Sequence, residues 1–239
     1  MRALLLFLLT VPVFGQVVVS DAINQNRLFG RWLTTGLQAP SSVNPTLLCS
    51  QQINRPLVGS SAVNNTGIKY RNRNALYFTG ASMSYTNTDS SFPTGDFTVA
   101  VWFATTKTYS SGTYGWILTY GSLSGGQLVG VGIGTDATMG TSAFGVTQYG
   151  NSVGSGSYVV NDGNWHSGVI TRVGTSYNVF VDGVLRNTKT MTTSTVLNKA
   201  SIGSLTDLTS KYTDYLADLR LYGRAWSINE VVAFHRGLQ

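Results

Sequence analysis

The chain has 239 residues, about 42% of them hydrophobic and only 11% charged, with Gly, Ser, Thr, Asn and Tyr abundant. That length fits one large β domain or two small ones, and the shortage of Glu and Lys excludes a predominantly helical protein. The net charge of +6 reflects scarce acids, nine Asp and the single Glu230, while the 16 Lys and Arg are spread too thinly to form a nucleic-acid-binding stripe interleaved with aromatics.

At the N-terminus, Arg2 precedes an apolar run from Ala3 to Phe14, broken only by Thr10 and Pro12. Val13 and Gly15 hold the small-residue positions before a cut at Gln16, so residues 1–15 have the form of a signal peptide. The run is too short to span a bilayer, and no later stretch is apolar enough to be a transmembrane segment. The expectation is a secreted, extracellular protein.

Residues 16–74 read as an N-terminal extension or as the first strands of the domain that follows. Gln16 to Ser20 is a short strand candidate. Residues 21–37, with Leu28, Phe29, Trp32 and Leu33, suggest a short helix interrupted by Gly30, and residues 38–74 read as loop with short strands around Pro40, Pro45 and Pro56. Cys49 is the sole cysteine, which forbids an internal disulfide and leaves burial or an intermolecular bridge. Asn64-Asn65-Thr66 is an acceptor sequon for glycosylation at Asn64 in a eukaryotic host. Lys69, Arg71 and Arg73 alternate, as on one face of a solvated strand.

From Ala75 onward, strand candidates recur every ten or so residues between turn clusters. Leu76 to Phe78 is one. In Asp96 to Phe103, Phe97, Val99, Val101 and Phe103 share a face while Ala100 and Trp102 line the other, as in a central strand covered on both sides. Trp116 to Tyr120 follows. Val129, Val131 and Ile133 then share a face opposite the bare Gly130, Gly132 and Gly134. Tyr177 to Val181 runs through Asp182-Gly183 into Val184 to Arg186, a hairpin with the pair favoured in type I′ turns. In the last strand, Leu219 and Leu221 point inward and Asp218, Arg220 and Tyr222 outward. Ser227 and Glu230 form a capping box for a terminal helix with Ile228, Val231, Val232 and Phe234 on its apolar face and Gly237 as its stop. The fold class is all-β: an antiparallel two-sheet jelly-roll sandwich with a short C-terminal helix.

Specific residues also carry a family resemblance. Asn161-Asp-Gly-Asn-Trp-His166, Thr171-Arg172, Gly174 and Phe180-Val-Asp-Gly-Val-Leu185 resemble the core pattern of laminin-G-like, concanavalin A-like domains. Leu76 to Gly80, Gly95 to Trp102, Ile202-Gly203 and Ala217 to Ser227 followed by Glu230 are similar to the family's other strands and closing helix, in family order, over residues 75–236. The domain is accordingly bounded at 75–239. The resemblance implies binding to glycans, glycosaminoglycans or other proteins, and often one calcium ion near a sheet rim. The loop Thr79 to Ser84 lacks the acids that relatives place there, so calcium, if bound, would draw on Asp89, Asp136 or Asp207. Trp226 replaces the usual Leu before Ser227.

The matched residues read as holding the fold: Trp165 fills the sandwich core, Asp162-Gly163 and Asp182-Gly183 set turns, and Arg220 pairs with Asp218. Catalysis is disfavoured by residue supply. The only Glu sits in a helix cap, so a glycosidase carboxylate pair is missing. His166 belongs to the fold motif and His235 to a helix C-terminus, and neither accompanies a nucleophile motif. One Cys and two separated His exclude a zinc cluster, and no helix follows the glycines at 130, 132 and 134 to make a dinucleotide site.

Two readings of function stay open, with a degenerate glycan-active enzyme as a weaker third. The first is a carbohydrate-binding or adhesion module, with Tyr109, Tyr114, Tyr149 and Tyr158 presenting rings from Gly/Ser-rich loops to a sugar or an extracellular partner. The second is self-assembly into a homo-oligomer, with residues 16–74 adding a strand to a neighbour and the glycine face letting another surface approach.

Overall fold

The computed structural model describes residues 28–32, 46–47, 57–59, 63–70, 73–80, 83–86, 93–122, 127–148, 150–192, 199–205 and 210–238. The strands in chain order are β1 Leu28–Trp32, β2 Thr46–Leu47, β3 Leu57–Gly59, β4 Val63–Tyr70, β5 Arg73–Thr79, β6 Met83–Thr86, β7 Phe97–Ala104 and β8 Thr113–Ser122. They continue with β9 Gln127–Asp136, β10 Gly140–Gln148, β11 Asn151–Gly154, β12 His166–Val173, β13 Ser176–Val181, β14 Val184–Thr190, β15 Lys199–Ile202 and β16 Thr213–Tyr222, and helix α1 Ile228–Arg236 closes the chain.

The strand β7 shows why this sequence layers as it does. Its β-branched and aromatic residues favour a pleated backbone, and every one of its residues is buried. Phe97, Val99, Val101 and Phe103 enter the main core, while Ala100 and Trp102 enter a second cluster with Val231 and Phe234 of the helix. Such a strand must be central, and β7 pairs with β12 on one side and β16 on the other. The first sheet runs β14-β13-β12-β7-β16-β5-β4, with β1 also on β16. The second runs β11-β10-β9-β8-β15-β6-β3-β2. All pairings between named strands are antiparallel, and the main core lies between the two sheets, as a jelly-roll sandwich requires.

The helix covers one end of the first sheet's outer face. Ser227 accepts from the Glu230 backbone N–H, and the Glu230 carboxylate accepts from the Ser227 N–H at 2.8 Å. Gly237 ends the helix in the left-handed region at φ 73. His235 stacks on Trp102 and its Nδ1 lies 3.0 Å from the Ser167 hydroxyl, so the last turn is tied to β7 and β12.

Three local expectations change. Leu28–Trp32 is a strand, not a helix: its Leu28, Gly30, Arg31 and Trp32 pair with Tyr222, Leu221, Arg220 and Leu219, and the sheet edge overrides the apolar spacing around Gly30. Trp165 lies half-buried on the outer face of the first sheet and not in the inter-sheet core. The next residue, His166, turns onto the core ring of Phe103, so the alternation of side chains sends Trp165 the other way. The glycine face of β9 is not bare, as the site below shows. In the last strand, Asp218 takes φ 46 at a bulge between Ala217 and Arg220, and its carboxylate accepts from Arg220 Nε at 2.9 Å and from Nη2 at 2.7 Å, both side chains buried. Residues 1–15, expected to be a signal peptide, and Gln16 to Ser20, Cys49, Asp89, Tyr149 and Asp207 lie outside the described residues.

Candidate functional site

The outer face of the second sheet is built on missing side chains. Along β9, Val129, Val131 and Ile133 point into the core, leaving Gly130, Gly132 and Gly134 outward. The neighbouring β8 alternates to put Tyr114 and Trp116 on that same outer face. Both rings lie over the glycines: a Cβ at Gly130 would sit 2.9 Å from Trp116 Cζ3, and one at Gly134 would sit 2.1 Å from Tyr114 Cδ1, while at Gly132 the β8 backbone is closer still, with the Gly115 carbonyl at 2.4 Å. The two rings stack with centroids 4.7 Å apart. Trp116 is buried and Tyr114 half-exposed.

Beside this slab sits a carboxylate ringed by hydroxyls. Tyr114 donates to Asp136 Oδ2 at 2.5 Å, and Ser152 Oγ donates to the same oxygen at 3.1 Å. Asp136 Oδ1 accepts from the backbone N–H groups of Thr138 and Met139 and from the Thr138 hydroxyl, all within 2.8 Å. Partial burial alone would raise this carboxyl, but these donors outweigh it and hold it at about 2. Burial and the adjacent carboxylate push the Tyr114 hydroxyl up to about 12, so it stays a donor. Asp136 therefore fixes a turn and a ring, and among the described residues no group of acids and histidines is arranged to hold a metal.

The other sequence candidates lie elsewhere. Tyr109 lies in the loop between β7 and β8, but its ring is buried in the main core and not presented to solvent. Tyr158 donates to Asp182 Oδ2 at 2.9 Å, meets His166 edge-on, and is covered by Arg186 3.7 Å from its ring centroid. Asn64 lies in β4 opposite Tyr77. Tyr114 and Asp136 are brought together; Tyr109 and Tyr158 do not join them. Trp116, Thr138 and Ser152 complete the site, and the signal for Trp116 was its two-residue spacing from Tyr114 opposite a Gly-x-Gly-x-Gly strand.

His166 organises the opposite rim. Its Nδ1 lies 2.8 Å from Asp182 Oδ2 and its Nε2 lies 3.0 Å from Asp162 Oδ1. Carboxylates only accept, so both contacts are hydrogen bonds when the ring carries both protons. Burial works against that charge, but the two acids prevail and raise the imidazole above its ordinary 6.5. Asp182 also shapes the hairpin, with φ 55 followed by Gly183 at φ 76, both left-handed as a type I′ turn needs.

Comparison with known proteins agrees with this architecture. Residues 78–232, well over half of the chain, match the concanavalin A-like lectin/glucanases superfamily. No curated protein matches the chain. Among solved structures, domain 4 of AbnA, an extracellular arabinanase from Geobacillus stearothermophilus in complex with arabinotriose, is similar at 10% identity and TM-score 0.57, covering 87% of this chain and 98% of that one. A botulinum neurotoxin type C structure, described for cell entry through two ganglioside molecules, is similar at 11% identity and TM-score 0.58, covering 92% of this chain and 53% of its own. The chain thus spans about half the length of that toxin chain. The CBM40 of the Ruminococcus gnavus IT-sialidase, bound to α2,3-sialyllactose, shows 13% identity and TM-score 0.50 over 64% of this chain and 92% of that one. At such identities the likeness is one of fold. With the ordered motifs and the family match taken together, the chain belongs to the concanavalin A-like lectin/glucanases superfamily.

Proposed function

We propose that this protein is an exported, non-catalytic module that binds carbohydrate, free or on an extracellular partner, through the outer face of its second sheet. The observation that carries the reading is the half-exposed Tyr114 ring, backed by the buried Trp116 over the β9 glycines, with the Asp136, Thr138 and Ser152 hydrogen-bonding cluster at its border. An aromatic surface with a few fixed polar groups suits a sugar, whose C–H faces are apolar and whose hydroxyls donate and accept. The structural neighbours supply a second support, since they are described with arabinotriose, with gangliosides and with sialyllactose. The non-catalytic part is supported by where the acid and base side chains are spent. Glu230 pairs with Arg224 in the helix cap, and His166 is clamped between carboxylates.

The test is an array of neutral, sialylated and sulfated glycans, followed by calorimetric titration of the best binder. Tyr114→Ala is expected to weaken that binding about tenfold, equivalent to ~1.4 kcal/mol. An array with no glycan bound, with and without calcium, would overturn the reading.

A further inference from the structure

One side of the sandwich is closed by side chains. There β14, the edge of the first sheet, meets β11, the edge of the second. Asn187 and Lys189 of β14 bridge the seam by donating to the Gly154 and Ser152 carbonyls at 3.0 and 2.9 Å. Arg186 stands next in the same strand but makes no such bond. The β13–β14 register shifts between Val179 and Phe180, so Asn187 and Leu185 have partners across the pair and Arg186 has none. A bulge of this kind re-aims the side chain it carries. Here it swings the guanidinium off the strand and over the ring of Tyr158, 3.7 Å from the ring centroid.

The ring beneath it is fixed on several sides. Tyr158 donates its hydroxyl to Asp182 Oδ2 at 2.9 Å and its N–H to the Ser155 carbonyl at 3.2 Å, and its own carbonyl accepts from Ser155 Oγ at 2.7 Å. The guanidinium on top is held by stacking alone. No described residue accepts a hydrogen bond from Arg186, and its Nε is sealed from solvent without an acceptor. No such seal covers the two Nη groups of this half-buried residue. A sealed donor with no acceptor costs stability and is rare in native proteins. The acids of this corner do not use the charge either. Both oxygens of Asp182 accept, from Tyr158, His166 and the Ser167 N–H, and both oxygens of Asp162 accept, from Asn164 and His166. With His166 charged between them, the cations here (Arg186, Lys189 and His166) outnumber the acids three to two. The result is a rigid planar fork with its end open, the geometry that takes a carboxylate through two parallel hydrogen bonds.

The surroundings say what carries that carboxylate. Val159, next to Tyr158, is 47% exposed, and Val184 and Leu185, just before Arg186, are 51% and 49% exposed. These are three of the six large hydrophobic side chains exposed among the described residues. A free anion would leave them wet, whereas an acid set among apolar side chains of a peptide covers them. A second copy of this chain does not fit, because β14 reads VLRNTKT, with two cations and no acid, and the chain as a whole carries +6. We propose that Arg186, presented by Tyr158 at the β14–β11 seam, anchors an acidic segment of a partner protein, whose carboxylate meets the Nη groups while its apolar neighbours lie on Val159, Val184 and Leu185. This surface does not depend on the Tyr114 face being a site.

The test titrates the full chain, labelled with nitrogen-15, with a capped pentapeptide of alternating valine and glutamate, with its counterpart carrying glutamine for glutamate, and with inorganic phosphate. The sealed Nε–H of Arg186 gives its own resonance. The acidic peptide is expected to shift that resonance and the amides of Val159 and Leu185, saturating in the millimolar range, and to bind at least about tenfold more tightly than the glutamine peptide. Arg186→Gln is expected to weaken the acidic peptide about tenfold, and Arg186→Lys, which keeps the charge without the fork, to restore only part of the loss. Thermal melts show that each variant folds, and Arg186 is half-buried at an edge, so both are expected to. Equal binding of the two peptides, binding that survives Arg186→Gln, or no shift at millimolar peptide overturns the proposal. Phosphate bound as tightly as the acidic peptide overturns it in favour of a bare anion site. Self-association of the parent protein that disappears in Arg186→Gln overturns it in favour of a second copy.

Discussion

His166 is the residue whose chemistry reaches furthest. Held by Asp182 at 2.8 Å and Asp162 at 3.0 Å, it joins the β12 start, the preceding loop and the β13–β14 hairpin through one ring. Tyr158, which itself carries Arg186 on its face, meets the ring edge-on, and Ser167 links the next residue to His235. The sign of its pH dependence follows. A raised folded value means that the contribution of His166 to stability is fully present below its ordinary 6.5 and is lost as pH rises through the folded value. The two acids run the other way: Asp162, held at about 2 by Asn164 and His166 against a burial effect that would raise it, and Asp182, also lowered, contribute above the ordinary carboxylate range and lose that contribution as pH falls. Melting temperatures across pH 4–9 are therefore expected to peak on the mildly acidic side and to decline above neutrality. The alkaline decline should be absent in His166→Gln; an identical decline in that variant would show that the clamp is not its source.

At the level of elements, β9 makes the sharpest case. Its glycines are required by the backbone and rings of the strand beside it, so adding one methyl group is already too much. Gly132→Ala is expected to cost about 1–3 kcal/mol, the usual range for overpacking, because its Cβ would meet the Gly115 carbonyl at 2.4 Å. Urea titration measures the loss, and a shifted Trp emission reports whether Trp116 has been lifted. The same strand shows what the sequence makes legible. The alternation of Val129, Val131 and Ile133 and the Asp182-Gly183 turn can be read from spacing, since each depends on residues close in the chain. The occupant of the glycine face and the outward turn of Trp165 depend on a neighbouring strand and on where His166 packs, and neither is local. For that reason the family motifs disclosed the fold and only a part of the site, with Tyr114 and Asp136 visible separately and their contact invisible.

For the whole molecule, the margins of the two sheets matter as much as the faces. The edge strands β14 and β11 are tied across one side of the sandwich, with Lys189 Nζ donating to the Ser152 carbonyl at 2.9 Å and Asn187 Nδ2 to the Gly154 carbonyl at 3.0 Å. A lysine on an edge strand also discourages pairing with another chain. Lys189→Val is expected to raise self-association, visible as a growing mass in light scattering with concentration, while the parent protein changes less over the same range. The middle of the first sheet has another consequence. There β7 and β16 pair residues as far apart in sequence as Thr98 and Tyr222, and β1 pairs Leu28 with that same Tyr222. Contacts of such separation place folding on the slow side, on the order of milliseconds to seconds. During synthesis the first sheet has no centre until Tyr222 has emerged, so β1 and β7 must wait, unpaired with β16, while the strands between them and β16 are made.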